Sequence, residues 1–540
     1  MPMSRRNLLI GLALATFALL FLRTAWVGDD VYITLRTVDN FVNGYGLTWN
    51  IAERVQSYTH PLWMFLLTLI YLPTRDAYLT ALLASLLASF ATLWLVDRRG
   101  GFAALGVLTL LLSKAFMDYS ASGLENPLTH LLLVLFFIAF IEKPSSPLHL
   151  ALLASLIALN RQDVILFVLP ALIYLLLSSL SLRGPRSTPK ARSSQRSNPR
   201  AAGESLASWE GIASHKPLAK TIFHILLGFL PLLLWEAFSL FYYGFPFPNT
   251  YYAKLGAGIP ASELLPQGLT YFLDSLQRDP LTLTVIFAGI LLALWRGQIR
   301  ERLLAIGSLL YIGYVLSIGG DFMSGRFLTS SLLVSVLLLV RLLRDLAPRW
   351  QYATIGAVVI LGLFATPPNF ILDLNQPRFT EHDLITGIND ERAYYYPISG
   401  LLNYRPGRDV PFSGEGWVEH GKALRESGKA VVDEKNVGYV GYFAGPAVHI
   451  VDLYALCDPL LARLPVSGPW RIGHFERDVP PGYLQTLRTG VNQIQNPSLA
   501  EYYDALALIT RGPLFSRERL IAIWKMNTGQ FNSLLTESAQ

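Results

Sequence analysis

The first 366 residues consist mainly of apolar runs separated by short polar connections. A helix needs about 17–25 apolar residues to cross a bilayer. Runs that approach this length fall near 7–27, 77–96, 101–117, 127–142, 147–160, 163–182, 220–240, 281–295, 302–318, 326–343 and 351–366. They predict a polytopic α-helical membrane protein with about eleven transmembrane helices.

The composition excludes several other classes of protein. Hydrophobic residues make up 52% of the chain, charged residues make up 15%, and the mean hydropathy is +0.39. Intrinsic disorder of the whole chain is excluded, because it requires low hydrophobicity and high charge. The lone Cys457 excludes a disulfide scaffold and a cysteine-based metal site. The net charge of +6 does not indicate nucleic acid, since the basic residues lie between apolar runs, where membrane topology explains them.

The orientation of the chain depends on the run Pro61–Pro73, which has thirteen residues and a proline at each end. If this run does not cross, most loop Lys and Arg residues fall on one side of the membrane, which is the cytoplasmic side by the positive-inside rule. If it does cross, the loop 183–220, with eight basic and two acidic residues, is exported. We therefore expect a multi-pass plasma (inner) membrane protein with a cytoplasmic N-terminus.

Two domains follow from the change in composition near residue 366. Residues 1–366 form the predicted transmembrane domain, whose Ser-, Pro- and Arg-rich loop 183–220 is expected to be disordered and cytoplasmic. Residues 367–540 are predicted to form a soluble extracytoplasmic domain. Short β-like runs at 430–443 and 447–453, followed by helical stretches near 499–508 and 516–526, predict an α/β fold for it.

Six polar clusters fall at the outer ends of the predicted crossings, and their shared placement predicts one extracytoplasmic site. Ionisable groups at membrane depth are costly and usually face a wet cavity or one another. A carboxylate beside a hydroxyl can act as a general base, and Arg or Lys can hold a phosphate. The clusters contain Asp29 and Asp30, the stretch 43–60, Asp118 with Glu125 and Asn126, Arg161 with Asp163, Tyr251 and Tyr252 with Lys254, and Asp321 with Arg326.

Each cluster also has a plainer interpretation. Asp29 and Asp30 are interpreted either as an exposed pair at a helix end or as a catalytic base. A metal site at this pair is a further alternative, but spacing fixes no third ligand, so we assign no metal ligand or certain cofactor and leave a divalent cation open. The acid–arginine pairs of two clusters could simply hold helix ends together, and the paired tyrosines could form a membrane-interface belt.

Several of these motifs resemble a known family. The stretch 28–63, GDDVYITLRTVDNFVNGYGLTWNIAERVQSYTHPLW, resembles the first external loop of the GT-C superfamily of integral-membrane glycosyltransferases. Within the superfamily, the chain is most similar to the terminal β-(1→2)-arabinofuranosyltransferase type of cell-wall assembly. The supporting motifs are ASGLEN at 121–126, YYGFPFPNTYYAK at 242–254, GGDFMSGRF at 319–327, and the stretches 433–465 and 470–483.

The resemblance implies a GT-C-like transmembrane domain and an enzyme that uses a polyprenyl-phosphate-sugar donor. The sugar, arabinofuranose for this type, would pass to an extracytoplasmic glycan or glycoconjugate acceptor by inverting displacement, with the bilayer holding the lipid. Asp29 or Asp30 would be the general base, and Arg161, Lys254 and Arg326 would bind the donor phosphate. The remaining candidates for substrate binding are Glu125, Asn126, Asp163, Tyr251, Tyr252, Asp321 and His474.

Three alternatives stay open from the sequence. A GT-C transferase could use another sugar, or a protein or lipid acceptor, within the same frame. A lipid-linked glycan transporter is a second possibility, although transporters usually show repeat symmetry and sites at mid-membrane. A non-catalytic scaffold for envelope glycans is the third, and it predicts that loss of Asp29 and Asp30 leaves function intact.

Overall fold

The computed structural model describes residues 5–97, 103–142, 146–181, 216–365, 380–403 and 416–538. Almost all of the predicted loop 183–220, and the predicted domain boundary at 366, lie outside the described residues.

The described chain is predominantly α-helical, so the helical fold predicted from the apolar runs is confirmed. The helices are α1 Arg5–Thr24, α2 Asp29–Val42, α3 Pro61–Thr74, α4 Ala77–Asp97, α5 Ala103–Leu112, α6 Lys114–Ser120, α7 Asn126–Phe137, α8 Pro147–Asn160, α9 Ile165–Ser181, α10 Lys216–Gly228, α11 Leu230–Tyr242, α12 Asn249–Lys254, α13 Ala261–Arg278, α14 Pro280–Arg296, α15 Ile299–Ser317, α16 Leu328–Leu342, α17 Pro348–Leu363, α18 Glu381–Thr386, α19 Glu391–Ser399, α20 Trp417–Glu426, α21 Gly438–Ala444, α22 Tyr483–Thr489, α23 Pro497–Arg511, α24 Arg517–Asn527 and α25 Asn532–Ser538. Two strands, β1 Val431–Glu434 and β2 His449–Asp452, a π-helical turn Ile138–Glu142, and 3₁₀ turns at Gln162–Val164, Leu401–Asn403 and Leu461–Arg463 complete it.

Few of the helices are long enough to cross a bilayer as single straight elements. Within the described ranges, two helical stretches, Ala77–Asp97 and Gln162–Ser179, are long and apolar enough. The number rises to five if each of three bent helix pairs forms one span. The count of eleven crossings and the orientation of the chain therefore stay predictions.

A sharp bend separates α1 from α2. The two helix axes meet at 93° across residues 25–28, and α2 begins with Asp29 and Asp30 in its first turn. Most of the side chains of α2 are buried, because this helix packs between α3 and α21. The bend thus places the two aspartates at the end of the first apolar helix and beside the C-terminal part of the chain.

The C-terminal part contains a small parallel sheet and six helices in its described residues 416–538. Val431 pairs with His449 and Glu434 with Asp452 in the sheet. The strands lie in the two runs predicted to be β-like, and α23 and α24 coincide with the predicted helical stretches. The prediction of strand was wrong for Gly438–Ala444, which is a helix: its first backbone N–H groups are capped by Asp29.

The core is continuous between the two parts of the chain. Trp26 stacks on Tyr395 at 5.8 Å between ring centroids, and Tyr32 packs on Tyr439 at 4.6 Å. These aromatic rings are buried and belong to the same hydrophobic cluster as the α3, α4 and α16 side chains. The division into two domains stays a prediction, but residues on both sides of the boundary share one core.

Arg36 joins α2 to the C-terminal part through neutral acceptors. Its guanidinium donates to the carbonyl oxygens of Trp49 at 2.9 Å, Gly441 at 2.7 Å and Val448 at 2.8 Å, and it lies 4.1 Å from the Trp49 ring centroid. The side chain is fully buried. A buried cation held by carbonyl dipoles requires all of these acceptors to be in place, because an unpaired buried charge is costly.

Candidate active site

A cavity of about 690 Å³ lies at the junction of α2, α7, α12 and the loop between α15 and α16. Its lining combines charged groups with apolar side chains such as Leu166, Leu255 and Ile318. A cavity of this size accommodates a small-molecule ligand. The structure brings together eight of the twelve predicted site residues in this lining, namely Asp30, Glu125, Arg161, Asp163, Tyr251, Lys254, Asp321 and Arg326.

Helix ends and a glycine-rich loop position these groups. Arg161 follows the last residue of α8, and Lys254 is the last residue of α12. The loop that carries Asp321 and Arg326 turns through glycines with positive φ, including Gly320 at 75°. At Gly320 a Cβ atom would lie 2.5 Å from the Tyr271 side chain, so this turn requires glycine for space as well as for conformation.

Glu125 is the centre of the charge arrangement. Its Oε1 atom lies 3.3 Å from Nη1 of Arg161 and 3.1 Å from Nη2 of Arg326, and its Oε2 lies 3.8 Å from Nδ1 of His60. Arg161 also pairs with Asp163 at 2.5 Å, and Arg326 with Asp321 at 3.6 Å. Both arginines are therefore charge-balanced, which buried cations require.

Lys254 differs from these arginines. In the part of the chain that the structure describes, no carboxylate oxygen lies within 4.0 Å of its ammonium group, and its Nζ atom lies 5.8 Å from the Phe322 ring centroid. Its side chain is half-buried and lines the cavity. Lys254 is thus the cavity cation whose charge is available to an anionic ligand.

The two adjacent aspartates have different surroundings. Asp29 accepts hydrogen bonds from the backbone N–H groups of Gly438 at 3.0 Å and Tyr439 at 2.7 Å. Asp30 lines the cavity, and its carboxylate has no hydrogen-bond or ion-pair partner among the described residues. Asp29 thus attaches α21, whereas the Asp30 carboxylate is part of the cavity wall.

The other predicted residues do not line the cavity within the described chain. The Asn126 amide donates to Thr329 at 3.2 Å, and the Tyr252 ring lies under the Arg463 guanidinium at 4.5 Å. His474 packs edge-on against Phe322, with 4.5 Å between ring centroids. These contacts suffice to explain the three side chains structurally, so a role in substrate binding stays a prediction for each.

Two further residues of this region, His60 and Glu391, are not among the predicted site residues. The His60 Nε2 atom lies 2.9 Å from the Thr34 hydroxyl in the cavity wall, and burial lowers the pKa of His60 to about 4, which keeps its ring neutral. Glu391 in α19 is buried, and burial together with the nearby Asp30 raises its pKa to about 8. His60 ends the polar stretch 43–60 and could have been found there, whereas Glu391 lies in no motif.

The described residues contain no group of three or more His, Cys, Asp or Glu side chains placed to hold a metal ion. Three of the cavity acids, Glu125, Asp163 and Asp321, pair with arginines instead.

Two named sequence relatives align with most of the chain, and no family model matches it. The chain is 27% identical over 589 residues to a terminal β-(1→2)-arabinofuranosyltransferase of Corynebacterium glutamicum, an alignment that covers 89% of this chain and 79% of the relative. It is 24% identical over 559 residues to a protein of the same name from Mycobacterium tuberculosis, with coverages of 84% and 81%. The relatives confirm the resemblance predicted from the motifs, and they support a membrane-bound glycosyltransferase.

Solved structures of one protein also resemble this fold. The match to the oligosaccharyltransferase of Archaeoglobus fulgidus in its apo form has a TM-score of 0.47 at 10% identity and covers 85% of this chain. A second structure of that enzyme, tethered to an acceptor peptide, matches with a TM-score of 0.41 at 11% identity and covers 83% of this chain. The chain spans 65% and 64% of these two structures, slightly less than two thirds of each.

Proposed function

We propose that this chain transfers arabinofuranose from a polyprenyl-phosphate donor to a glycan or glycoconjugate acceptor outside the cytoplasm, with Asp30 as the general base. The single observation that carries the proposal is that Asp30 and Lys254 line one cavity, and that neither has an ion-pair partner within 4.0 Å among the described residues. The named relatives supply the sugar and the class of reaction.

Asp30 serves as the base because its carboxylate is the unengaged member of the pair. A general base has to reach the hydroxyl proton of the acceptor within the cavity. The Asp29 carboxylate is occupied by two backbone N–H groups, so a proton on it would weaken the attachment of α21. Asp29 is therefore a positioning residue, which holds the first turn of α2 against the C-terminal part.

Lys254 binds the donor phosphate, supported by Arg326 and Arg161. The two arginines already share three carboxylates, Glu125, Asp163 and Asp321, so their positive charge is compensated before the phosphate binds. Lys254 adds a positive charge that, among the described residues, has no carboxylate oxygen within 4.0 Å and can therefore pair directly with an anion. As the phosphate leaves, it gains negative charge, and a fixed cation stabilises that charge in the transition state.

The reaction balances as a single displacement. The acceptor hydroxyl oxygen attacks the anomeric carbon of the sugar while its proton passes to Asp30. The bond from that carbon to the phosphate oxygen breaks, and the polyprenyl phosphate departs with the electron pair. Attack opposite to the leaving phosphate inverts the anomeric centre. The apolar part of the cavity wall, with Leu166, Leu255 and Ile318, is suited to the first isoprene units of the donor.

Transfer assays with the purified full-length protein in lipid test the proposal. The donor is synthetic polyprenyl-phospho-arabinofuranose, the acceptor is a short arabinan glycan, and each reaction is run with and without a chelator. We expect transfer by the wild type and none by Asp30→Asn. Transfer only with another polyprenyl-phospho-sugar would reject arabinose and keep the mechanism. Passage of labelled donor across the bilayer, without a new glycosidic bond, would support a transporter instead.

A further inference from the structure

Helix α24 has two apolar faces, and the described residues cover only one of them. Ala522, Ile523 and Met526 are buried against the C-terminal core. On the opposite face, Leu520, Ile521 and Trp524 are exposed at the spacing of one helix surface, and Trp524 is 68% exposed. Phe515, just before the helix, is 83% exposed. We call these four side chains the 515–524 face.

The 515–524 face adjoins a helix that has the composition of a membrane span. The guanidinium of Arg519 donates to the carbonyl oxygens of Phe241 at 2.8 Å and Tyr242 at 2.9 Å. These are the last two residues of α11. Phe515 packs on Phe241 with 5.3 Å between ring centroids. Helices α10 and α11 together are long and apolar enough to cross a bilayer.

The exposed side of α11 continues into the 515–524 face. Leu233, Leu234 and Leu240 are exposed along α11, as expected of a helix surrounded by lipid. At the end of α11, Phe241 contacts Phe515 of the 515–524 face. A patch of large apolar side chains is unfavourable in water and marks an interaction surface.

We propose that the 515–524 face is a membrane-docking surface, which lies in the bilayer interface at the end of α11. The chemistry fits this occupant: Trp524 belongs to the residue type enriched at the membrane–water boundary, and the exposed Arg517 and Lys525 flank it with positive charge for anionic headgroups. Continuity with the lipid-facing side of α11 favours lipid over a second protein.

Helix α24 contacts the segment of the chain that leads from α11 to the cavity wall. Ile523 on the covered side of α24 lies beside Gly244, and Asn527 donates to the Gly244 carbonyl oxygen at 2.8 Å. Three residues later the chain reaches Phe247, which lines the cavity together with Tyr251. Docking of α24 in the bilayer interface thus sets the distance between this side of the cavity and the membrane surface. This inference does not depend on the reaction proposed above.

Spin labels on single cysteines test the proposal in the full-length protein. The buried Cys457 is replaced by Ala, and a nitroxide is placed at Trp524→Cys, at Ile521→Cys or at the control Val491→Cys, an exposed aliphatic residue between α22 and α23. The protein is reconstituted in phosphatidylethanolamine–phosphatidylglycerol vesicles. Collision rates with oxygen, which partitions into lipid, and with a water-soluble nickel chelate are then measured for each label.

We expect a several-fold higher oxygen-to-nickel ratio at 524 and 521 than at 491. Equal ratios at the three positions would place the face in water and overturn the proposal. Spin–spin broadening at 524 that disappears on dilution with unlabelled protein would show a second copy on the face. Low access of both reagents at 524 would show that another protein covers the face. Either of these two results would overturn the assignment to lipid. The buried side of α24 is unchanged in every variant, so all of them are expected to fold.

Discussion

Asp29 and Asp30 are neighbours in the chain, but their carboxylates have separate surroundings. Asp29 accepts two backbone hydrogen bonds from the start of α21, while Asp30 lines the cavity without a hydrogen-bond partner in the described chain. The first turn of α2 therefore joins the C-terminal part to the first apolar helix and presents one carboxylate to the cavity. Because their surroundings differ, the contributions of the two aspartates to activity and stability can be tested separately.

Substitution of Asp30 is expected to affect the chemical step. Asp30→Asn should lower kcat for sugar transfer by about 10²–10⁴-fold, the contribution of a positioned general base. Because the Asp30 carboxylate makes no protein hydrogen bond in the described chain, the melting temperature should stay close to that of the wild type.

The matched variant Asp29→Asn is expected to show the opposite pattern. An amide oxygen accepts hydrogen bonds less strongly than a carboxylate, so the variant should lose about 1–3 kcal/mol of stability. Its transfer activity should fall less than that of Asp30→Asn. Transfer rates and thermal unfolding, measured on both proteins, distinguish the roles. A larger loss of kcat for Asp29→Asn, at unchanged stability, would reverse the assignment.

Substitution of Lys254 is expected to weaken donor binding. Lys254→Gln should lower kcat/KM for the polyprenyl-phosphate donor by about 10–100-fold, which corresponds to the loss of one hydrogen bond to a charged group. Inhibition by free polyprenyl phosphate should weaken with it. Lys429→Gln, at an exposed lysine before β1, serves as the control. Equal kinetics for the two variants would remove Lys254 from the phosphate site.

Glu125 is expected to contribute to stability through two cations. Glu125→Gln removes the buried carboxylate that Arg161 and Arg326 share, and the loss of one partner of a buried ion pair costs about 3–5 kcal/mol. A double-mutant cycle with Arg326→Gln should show the double variant to be more stable than additivity requires, by about 0.5–3 kcal/mol. Strict additivity of the two unfolding free energies would indicate that the 3.1 Å pair contributes nothing.

Gly438 is expected to tolerate no side chain. A Cβ atom at this position would overlap the Asp29 carbonyl oxygen, which is backbone and cannot rotate away. Gly438→Ala should therefore lower the melting temperature and the transfer activity together. Gly416→Ala provides the control, since a Cβ atom there meets nothing within 4 Å. Wild-type stability of Gly438→Ala would mean that α21 can move away from α2 without cost.

The stability of the protein is expected to depend on pH through Glu391. Burial and the nearby Asp30 raise the pKa of this carboxyl to about 8. The pKa of a Glu side chain in the unfolded chain is about 4.3. Between these values the folded state holds a proton that the unfolded state has lost. The contribution of Glu391 to stability is therefore complete below about pH 4 and decreases as the pH rises towards 8.

The variant Glu391→Gln isolates this contribution from the other titrating groups. Its melting temperature should fall less than that of the wild type between pH 5 and pH 8.5, because an amide does not ionise. Identical pH profiles for the two proteins would show that Glu391 is charged or exposed in the folded state.

Much of the fold and of the site could be predicted from local sequence. The apolar runs predict helices, and charged residues at the ends of apolar runs predict the cavity lining, as Arg161 and Lys254 illustrate. The different contacts of Asp29 and Asp30 could not be predicted, because those of Asp29 depend on Gly438 and Tyr439, more than 400 positions away. Glu391 was missed because its burial against Asp30 is a property of tertiary packing alone.

The carbonyl contacts of Arg36 also set an order for biosynthesis. Two of its acceptors, Gly441 and Val448, follow it by 405 and 412 residues. At synthesis rates of about 5–20 residues per second, the ribosome needs about 20–80 s to reach them. During that interval the guanidinium depends on water or a chaperone, so α2 cannot reach its final burial while the chain is incomplete. A chain that ends before these positions would leave Arg36 without the carbonyl groups of Gly441 and Val448.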